Sequence, residues 1–324
     1  MNHSIDRRQA LAILASSMAA QGALAQQSST PLRWLVGYPA GGGADVQTRM
    51  IAQQLSTKLG RPVIVDNRPG VGGSLAAQAL AQAAPDGNTL MTIDNSIMVF
   101  NGALFKKPPY DAERDFKSVG TTLKVPFILC ANVDSKHKSI QTVVDLMRRE
   151  PGKVNYATPG MASPHNLAME MLKDKAKLDA VAVHYKGGAP AIQDVLGGQI
   201  EFIILDGGTA QPLLKAGKLK VLGTFSKLPL PAAPEAPSII NLGYTDVEVE
   251  GWGGAVVSSA TPEPIRIALS EQLKSVIQVD SVQKTLREMG VEPMAMTGPE
   301  MDARAKLERQ YWIPLIRSRG ISVD

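Results

Sequence analysis

The residues of this 324-residue chain with the clearest chemical potential are its glycines. Clusters follow short apolar or β-branched runs at five places: Gly41-Gly42-Gly43, Gly70 to Gly73, Thr158-Pro159-Gly160, Lys186-Gly187-Gly188 and Asp206-Gly207-Gly208. Where such a turn opens a helix, the first N–H groups have no partner inside the helix, and its dipole favours an anion near them. Each cluster alone also reads as a glycine that merely makes a turn. Taken together, they suggest an anionic small ligand. No Gly-Lys-Ser/Thr follows Gly43, which excludes a nucleoside-triphosphate loop, and Val46 occupies the place of the third small residue of a dinucleotide fingerprint.

Catalytic combinations are scarce. There is no Gly-x-Ser-x-Gly elbow, the nearest string being Gly72-Gly73-Ser74-Leu75-Ala76, and no His-Glu-x-x-His. His137, His165 and His184 contain no close pair at metal-ligand spacing, and each lone histidine reads as a hydrogen-bonded structural residue before it reads as a catalyst. Lys186 is either a pocket cation or a solvated turn residue, and Asp45 either touches ligand or caps its helix. Trp252, between Gly251 and Gly253, is either a pocket wall or a core residue. The single cysteine, Cys130, lies between Leu129 and Ala131, has no intrachain disulfide partner and reads as a small buried hydrophobe. The sequence therefore predicts no catalytic residue, no metal and no cofactor.

The elements that must position these loops alternate short strands with Ala/Leu/Gln-rich helices, the α/β pattern. Leu32 to Tyr38 reads as a strand and Asp45 to Leu59 as a helix with Val46, Met50, Ile51 and Leu55 on its apolar face and Gly60 as its stop. Val63 to Asp66 reads as a buried strand, Ser74 as the N-cap of a helix to Ala84, and Thr89 to Asp94 as a third strand. The pattern recurs at Val154 to Ala157 with a helix from Pro164, at Val181 to Tyr185 with a helix from Pro190, and at Phe202 to Leu205. A proline-rich connector follows from Leu228 to Pro237, then a strand at Ala255 to Val257 and helices at Pro264 to Ile277, Ser281 to Met289 and Pro299 to Ile316.

Composition bounds the class. Hydrophobic residues are 44% and charged residues 20% of the chain, which is globular, and the length predicts about two domains. The formal charge of +4 comes without any basic run longer than two residues, so nucleic acid is not an expected partner. Met1 to Ala25 reads as a cleaved export signal, with Arg7-Arg8, an Ala/Leu-rich stretch from Ala10 to Ala20 and an Ala23-Leu24-Ala25 cleavage site. The paired arginines also suit a twin-arginine signal, the apolar stretch is too short to span a membrane, and no cysteine follows the cleavage site to carry a lipid.

Seven ordered strings carry a resemblance: YPAGGGAD at Tyr38–Asp45, NRPGVGG at Asn67–Gly73, PYDAERDF at Pro109–Phe116, PGK at Pro151–Lys153, ATPG at Ala157–Gly160, YKGGAPA at Tyr185–Ala191 and LGGQ at Leu196–Gln199. They resemble the Bug family, the extracytoplasmic solute receptors of tripartite tricarboxylate transporters. The resemblance implies a type 2 periplasmic-binding-protein fold, with two α/β lobes closing on a ligand cleft by hinge motion. Lobe one would comprise residues 31–129 with 254–324, and lobe two residues 130–253. It further implies a periplasmic, non-enzymatic monomer that holds a small di- or tricarboxylate-type acid for integral membrane transporter subunits. Carried onto this chain, the ligand-binding positions are Tyr38, Gly41, Gly42 and Asp45 from one lobe, and Thr158, Gly160, Ser163, His165, Lys186, Gly187 and Asp206 from the other. Gly253-Gly254 stands where many members have an aromatic after the tryptophan, and Pro164 where a polar residue is common, so the distal pocket is expected to be wider. Few aromatics, 6 Phe, 3 Trp and 6 Tyr, favour aliphatic acids. Two alternatives stay open: a carboxylate sensor for a membrane signalling partner, and a periplasmic hydrolase or transferase using Ser163 and His165.

Overall fold

The computed structural model describes residues 30–185, 187–227, 233–244 and 249–323. The export segment Met1 to Ala25, Lys186 and part of the proline-rich connector lie outside the described residues.

Two units of the same grammar build the molecule. In the first, β1 (Leu32–Val36), β2 (Val63–Asn67) and β3 (Thr89–Asp94) run parallel in the order β2-β1-β3, with α1 (Gly43–Leu59) and α2 (Ser74–Ala81) as crossovers. In the second, β5 (Asn155–Thr158), β6 (Val181–His184) and β7 (Phe202–Asp206) repeat that order as β6-β5-β7. Their crossovers are α4 (Pro164–Ala176) and α5 (Gly188–Leu196), α3 (Ile140–Arg149) having preceded β5, and α6 (Gly207–Lys215) follows β7. Each unit gains an antiparallel strand beside its third parallel one. The first receives β9 (Glu250–Ser258) next to β3, and the second receives the end of β4 (Phe116–Asn132) next to β7.

β4 joins the two. Its residues 116–126 pair with β9, from Phe116 opposite Ser258 to Pro126 opposite Glu250, and from Phe127 onward it pairs with β7 and with β8 (Leu219–Thr224). The result is one curled sheet in the order β2-β1-β3-β9-β4-β7-β5-β6. Register shifts at Ser118/Gly120 and Thr121/Leu123 bend β4 against β9, as extra residues in one strand of a pair do. The two strands approach so closely that a Cβ at Gly254 would lie 2.4 Å from the Gly120 carbonyl oxygen, which only glycine permits.

Apolar layers fill both faces. Trp34, Ile51, Leu55 and Leu90 pack with Leu269 and Leu273 of α7 (Glu263–Ile277) and Leu286 of α8 (Asp280–Glu288). Cys130, Ile128, Ala157 and Ile203 pack with Ala191 and Val195 of α5, and burial pushes the Cys130 thiol far up, in keeping with an inert apolar role. The short strand β10 (Glu292–Pro293) edges β4. The chain then ends in α9 (Gly298–Ser318), opened by a capping box between Thr297 and Glu300.

Several expectations need correction. The buried face of α1 is Asp45, Thr48, Ile51, Ala52 and Leu55, whereas Val46 is 42% exposed; Ile51 and Leu55 are buried as expected, but at the start of the helix it is Asp45, held by the Gly41 amide and Asn67, that faces inward. β2 is the sheet edge, not a buried strand, with Ile64 53% exposed. Ser74 is the first residue of α2 rather than its cap, because Gly73 takes the cap position in the left-handed region at φ +71°, and the helix stops at Ala81. α5 begins at Gly188, ahead of Pro190.

Candidate functional site

A cavity of about 900 Å³ opens where the carboxyl ends of the parallel strands of both units face each other, the place where open α/β sheets bind ligands. One wall carries Tyr38, Gly42 and Asp94, and the opposite wall carries Ser163, His165 and Asp206. The joining strands β4 and β9 supply Phe127 and Trp252 between them.

On the first wall, the chain leaves β1 and turns through Tyr38 to Gly42 into α1. Gly42 occupies the N-cap with no side chain to close the helix start, so the leading amides of α1 remain open to a ligand anion. Asp45 sits behind this loop, 3% exposed, accepting from the Gly41 amide at 2.8 Å, Arg49 Nε at 2.9 Å and Asn67 Nδ2 at 2.8 Å. Burial would raise its carboxyl, but these donors hold it below the ordinary range. Asp45 therefore fixes the loop from the protein side. At the end of β3, Asp94 accepts from the Ile97 amide at 3.0 Å and from the hydroxyl of Tyr38. Burial pushes the Asp94 carboxyl up and outweighs its donors from Tyr38, Ile97 and Ser96; burial also drives the Tyr38 hydroxyl well up, with Asp94 adding to the effect.

On the second wall, β5 ends at Thr158, which is fully buried; its hydroxyl donates to the Gly160 carbonyl at 3.2 Å and meets His184 Nδ1 at 3.1 Å. Ser163 caps α4, with its hydroxyl accepting from the Asn166 amide at 3.2 Å and donating to the Gly160 carbonyl at 2.7 Å. Pro164 fits the first helical position, where its missing N–H costs nothing. His165 follows, its ring 4.7 Å from that of Phe127 and its Nε2 3.6 Å from Asp206 Oδ2. Both ring nitrogens are buried without a hydrogen-bond partner among the described residues. Asp206 ends β7 and caps α6, accepting from the Thr209 amide at 2.8 Å and the Thr209 hydroxyl at 2.7 Å. Burial opposes its ionisation, yet His165 and Thr209 pull its carboxyl down to about 2.

Of the residues singled out from the sequence, Tyr38, Gly41, Gly42, Ser163, His165 and Asp206 line the cavity together. Asp45, Thr158 and Gly160 shape the loops from behind, and Gly187 caps α5 at φ +108°. Trp252 fills both of its readings: it is buried, donates from Nε1 to Glu308 at 2.9 Å, stacks under the Arg304 guanidinium at 5.7 Å, and still lines the cavity. Asp94, Phe127 and Thr92 line it without having been singled out. Ser163 and His165 form no nucleophile and base pair, because the Ser163 hydroxyl is occupied as a cap.

Residues 47–321 match the family model of the tripartite tricarboxylate transporter family receptor. The chain belongs to this receptor family. Among its relatives, BugT of Bordetella pertussis is 28% identical over 90% of this chain and 89% of its own length. The Rpa4515 protein of R. palustris, solved with adipate, is 27% identical, covers 90% of this chain and 98% of its own, and superposes with a TM-score of 0.79. MatC from Rhodopseudomonas palustris, solved with bound malate, is 26% identical over 88% of this chain and 98% of its own, with a TM-score of 0.73. The receptor thus has the two-lobed α/β periplasmic-binding-protein fold, with the cavity in the cleft. Among the described residues no helix is long and apolar enough to cross a membrane.

Proposed function

We propose that this receptor is a periplasmic, non-enzymatic protein that captures a small carboxylate in the cleft and delivers it to the integral membrane subunits of a tripartite tricarboxylate transporter. The observation that carries the reading is the cleft itself: the uncapped start of α1 at Gly43 and the Ser163-capped start of α4 face one cavity from two units that share a single continuous joining strand. Amides fixed at helix starts bind a carboxylate without requiring a paired cation, and ordered water extends their reach at little loss. The family relation and the adipate and malate held by two structural relatives support the same class of ligand.

The lobes we assign are residues 31–129 with 254–324 and residues 130–253, with the bend at β4 near Phe127, where its pairing passes from β9 to β7. Ligand contacts are proposed for Tyr38, Gly41, Gly42, Ser163, His165 and Asp206. Asp45, Thr158, Gly160 and Gly187 belong to the loops that present them, and Lys186, outside the described residues, is proposed as a contact from the resemblance alone. The receptor acts as a monomer. Micromolar capture needs about −8 kcal/mol, within reach of a few charge-assisted bonds and lobe closure.

The test is thermal stability of the mature protein, unfolded and refolded to strip any co-purified acid, against a panel of aliphatic and aromatic carboxylates. An acid at about 100 times its dissociation constant adds about 2.7 kcal/mol and raises the melting temperature by several degrees. The expected result is a shift with at least one aliphatic acid that is recovered unchanged after long incubation. A panel without any shift, or an acid consumed over time, would reject the receptor reading.

A further inference from the structure

The charged side chains of the cleft are unevenly distributed. Among the described residues that line it, the carboxylates are Asp94 and Asp206, the other ionisable groups are His165 and the Tyr38 hydroxyl, and none is lysine or arginine. Asp206 is already answered by the start of α6, through Thr209, and by His165 at 3.6 Å. Asp94 is not: its partners, the Tyr38 hydroxyl and the amides of Ser96 and Ile97, are all neutral. All three are donors, so they suit an accepting carboxyl, which lines the cavity.

The strand beside Asp94 keeps that carboxylate accessible. Asp94 on β3 lies directly opposite Gly253 on β9, and both line the cleft. Residues opposite each other in an antiparallel pair stand on the same face, so any side chain at 253 would shade the acid. There is room for one: a Cβ at Gly253 would meet its nearest neighbours at 3.5 Å, an ordinary contact. The glycine therefore leaves open space beside a carboxyl with no cationic partner of its own among the described residues.

We propose that Asp94 selects the ligand, and that the acid this receptor takes carries a cationic hydrogen-bond donor, an ammonium group, at the end remote from its carboxylate. This rests on the receptor reading above and narrows its ligand class from carboxylates to amino-carboxylates. The ligand's carboxylate meets the open start of α1, and its ammonium meets Asp94 through the gap beside Gly253. A second carboxylate at that position would face a like charge with no Lys or Arg among the described lining residues to offset it. Burial disfavours the ionised Asp94 carboxyl, so a bound cation beside it would favour that form.

The test compares matched pairs of equal chain length by titration calorimetry on the stripped mature protein: 4-aminobutanoate with succinate, 5-aminopentanoate with glutarate, and 6-aminohexanoate with adipate. The wild-type receptor is expected to bind the best amino-carboxylate at least tenfold more tightly than its dicarboxylate partner. Asp94→Asn is expected to abolish or invert that preference, and Gly253→Ala to weaken the amino-carboxylate severalfold. The wild-type comparison decides the matter even if Asp94→Asn does not fold. A wild-type preference for dicarboxylates would overturn the proposal and leave the receptor reading intact. Silence toward both series and toward every acid of the wider panel would overturn both.

Discussion

Asp94 and Asp206 occupy the same place in two versions of one unit. Each is the last residue of the third parallel strand, each faces the cleft, and each accepts the amide three residues on, Ile97 in one case and Thr209 in the other. Their settings differ in what stands beside them. Opposite Asp206 in the register is Phe127, whose ring supports His165 so that a base lies within 3.6 Å of the acid; opposite Asp94 is Gly253, and the acid has only neutral donors. One carboxyl is consequently held down at about 2 and the other is pushed up. A repeated backbone plan thus leaves the setting of each acid to the neighbouring strand, which places an imidazole beside one and only neutral donors beside the other.

Removing the support of the closed side should have the largest effect. Phe127→Ala deletes a ring that is 2% exposed at the bend of β4, and we expect a loss of about 3–5 kcal/mol in urea unfolding, with Phe127→Leu costing about 1 kcal/mol. Next is Asp206→Asn, which removes the charge that His165 and the start of α6 stabilise. A loss of about 2 kcal/mol near neutral pH follows from the lowered carboxyl, and a loss under ~0.5 kcal/mol would break the contrast. Asp94→Asn should cost less than ~0.5 kcal/mol, since the amide oxygen can still accept from Ile97 and a buried charge without a cation is removed.

The smallest effect is the pH dependence of these two differences, and its signs are opposite. A carboxyl lowered by folding contributes stability that is present above its unfolded value near 3.8 and is lost as pH falls toward about 2, so the deficit of Asp206→Asn should fade over that interval. A carboxyl raised by folding favours the folded state below its unfolded value and loses that contribution as pH rises through its folded one. The wild type should therefore lose ground to Asp94→Asn as pH rises from 4. Parallel profiles for the two variants would show that the walls are electrostatically alike.

The repeated strand, glycine turn and helix were legible because each parallel strand is a short apolar run followed by a residue type that can turn. β4 was not, since its first part is interrupted by Lys117, Gly120, Lys124 and Pro126, and only Phe127–Ala131 forms a continuous apolar run. Its strand character comes from pairing with β9 over one half and with β7 and β8 over the other, information that lies more than a hundred residues away in sequence for β9. Tyr38, Ser163, His165 and Asp206, which the family resemblance implied as ligand positions, line the cavity. Spacing alone could not tell whether Asp45 and Thr158 lie on the cavity side of those loops or on the protein side. Asp94 had a faint signal, an acid closing a strand ahead of Asn95-Ser96. Its significance depends on Tyr38, 56 residues earlier, and on Gly253 across the sheet.

The central claim is that one cleft, built from the strand ends of both units, holds a small carboxylate. The most direct measurement is a crystal structure of the stripped receptor soaked with the acid that gives the largest thermal shift. One molecule is predicted between the Tyr38–Gly43 loop and the start of α4 at Ser163–His165, with its carboxylate on main-chain amides or waters bound to them. An acid bound outside that cleft, or a cleft still empty at saturating ligand, would contradict it.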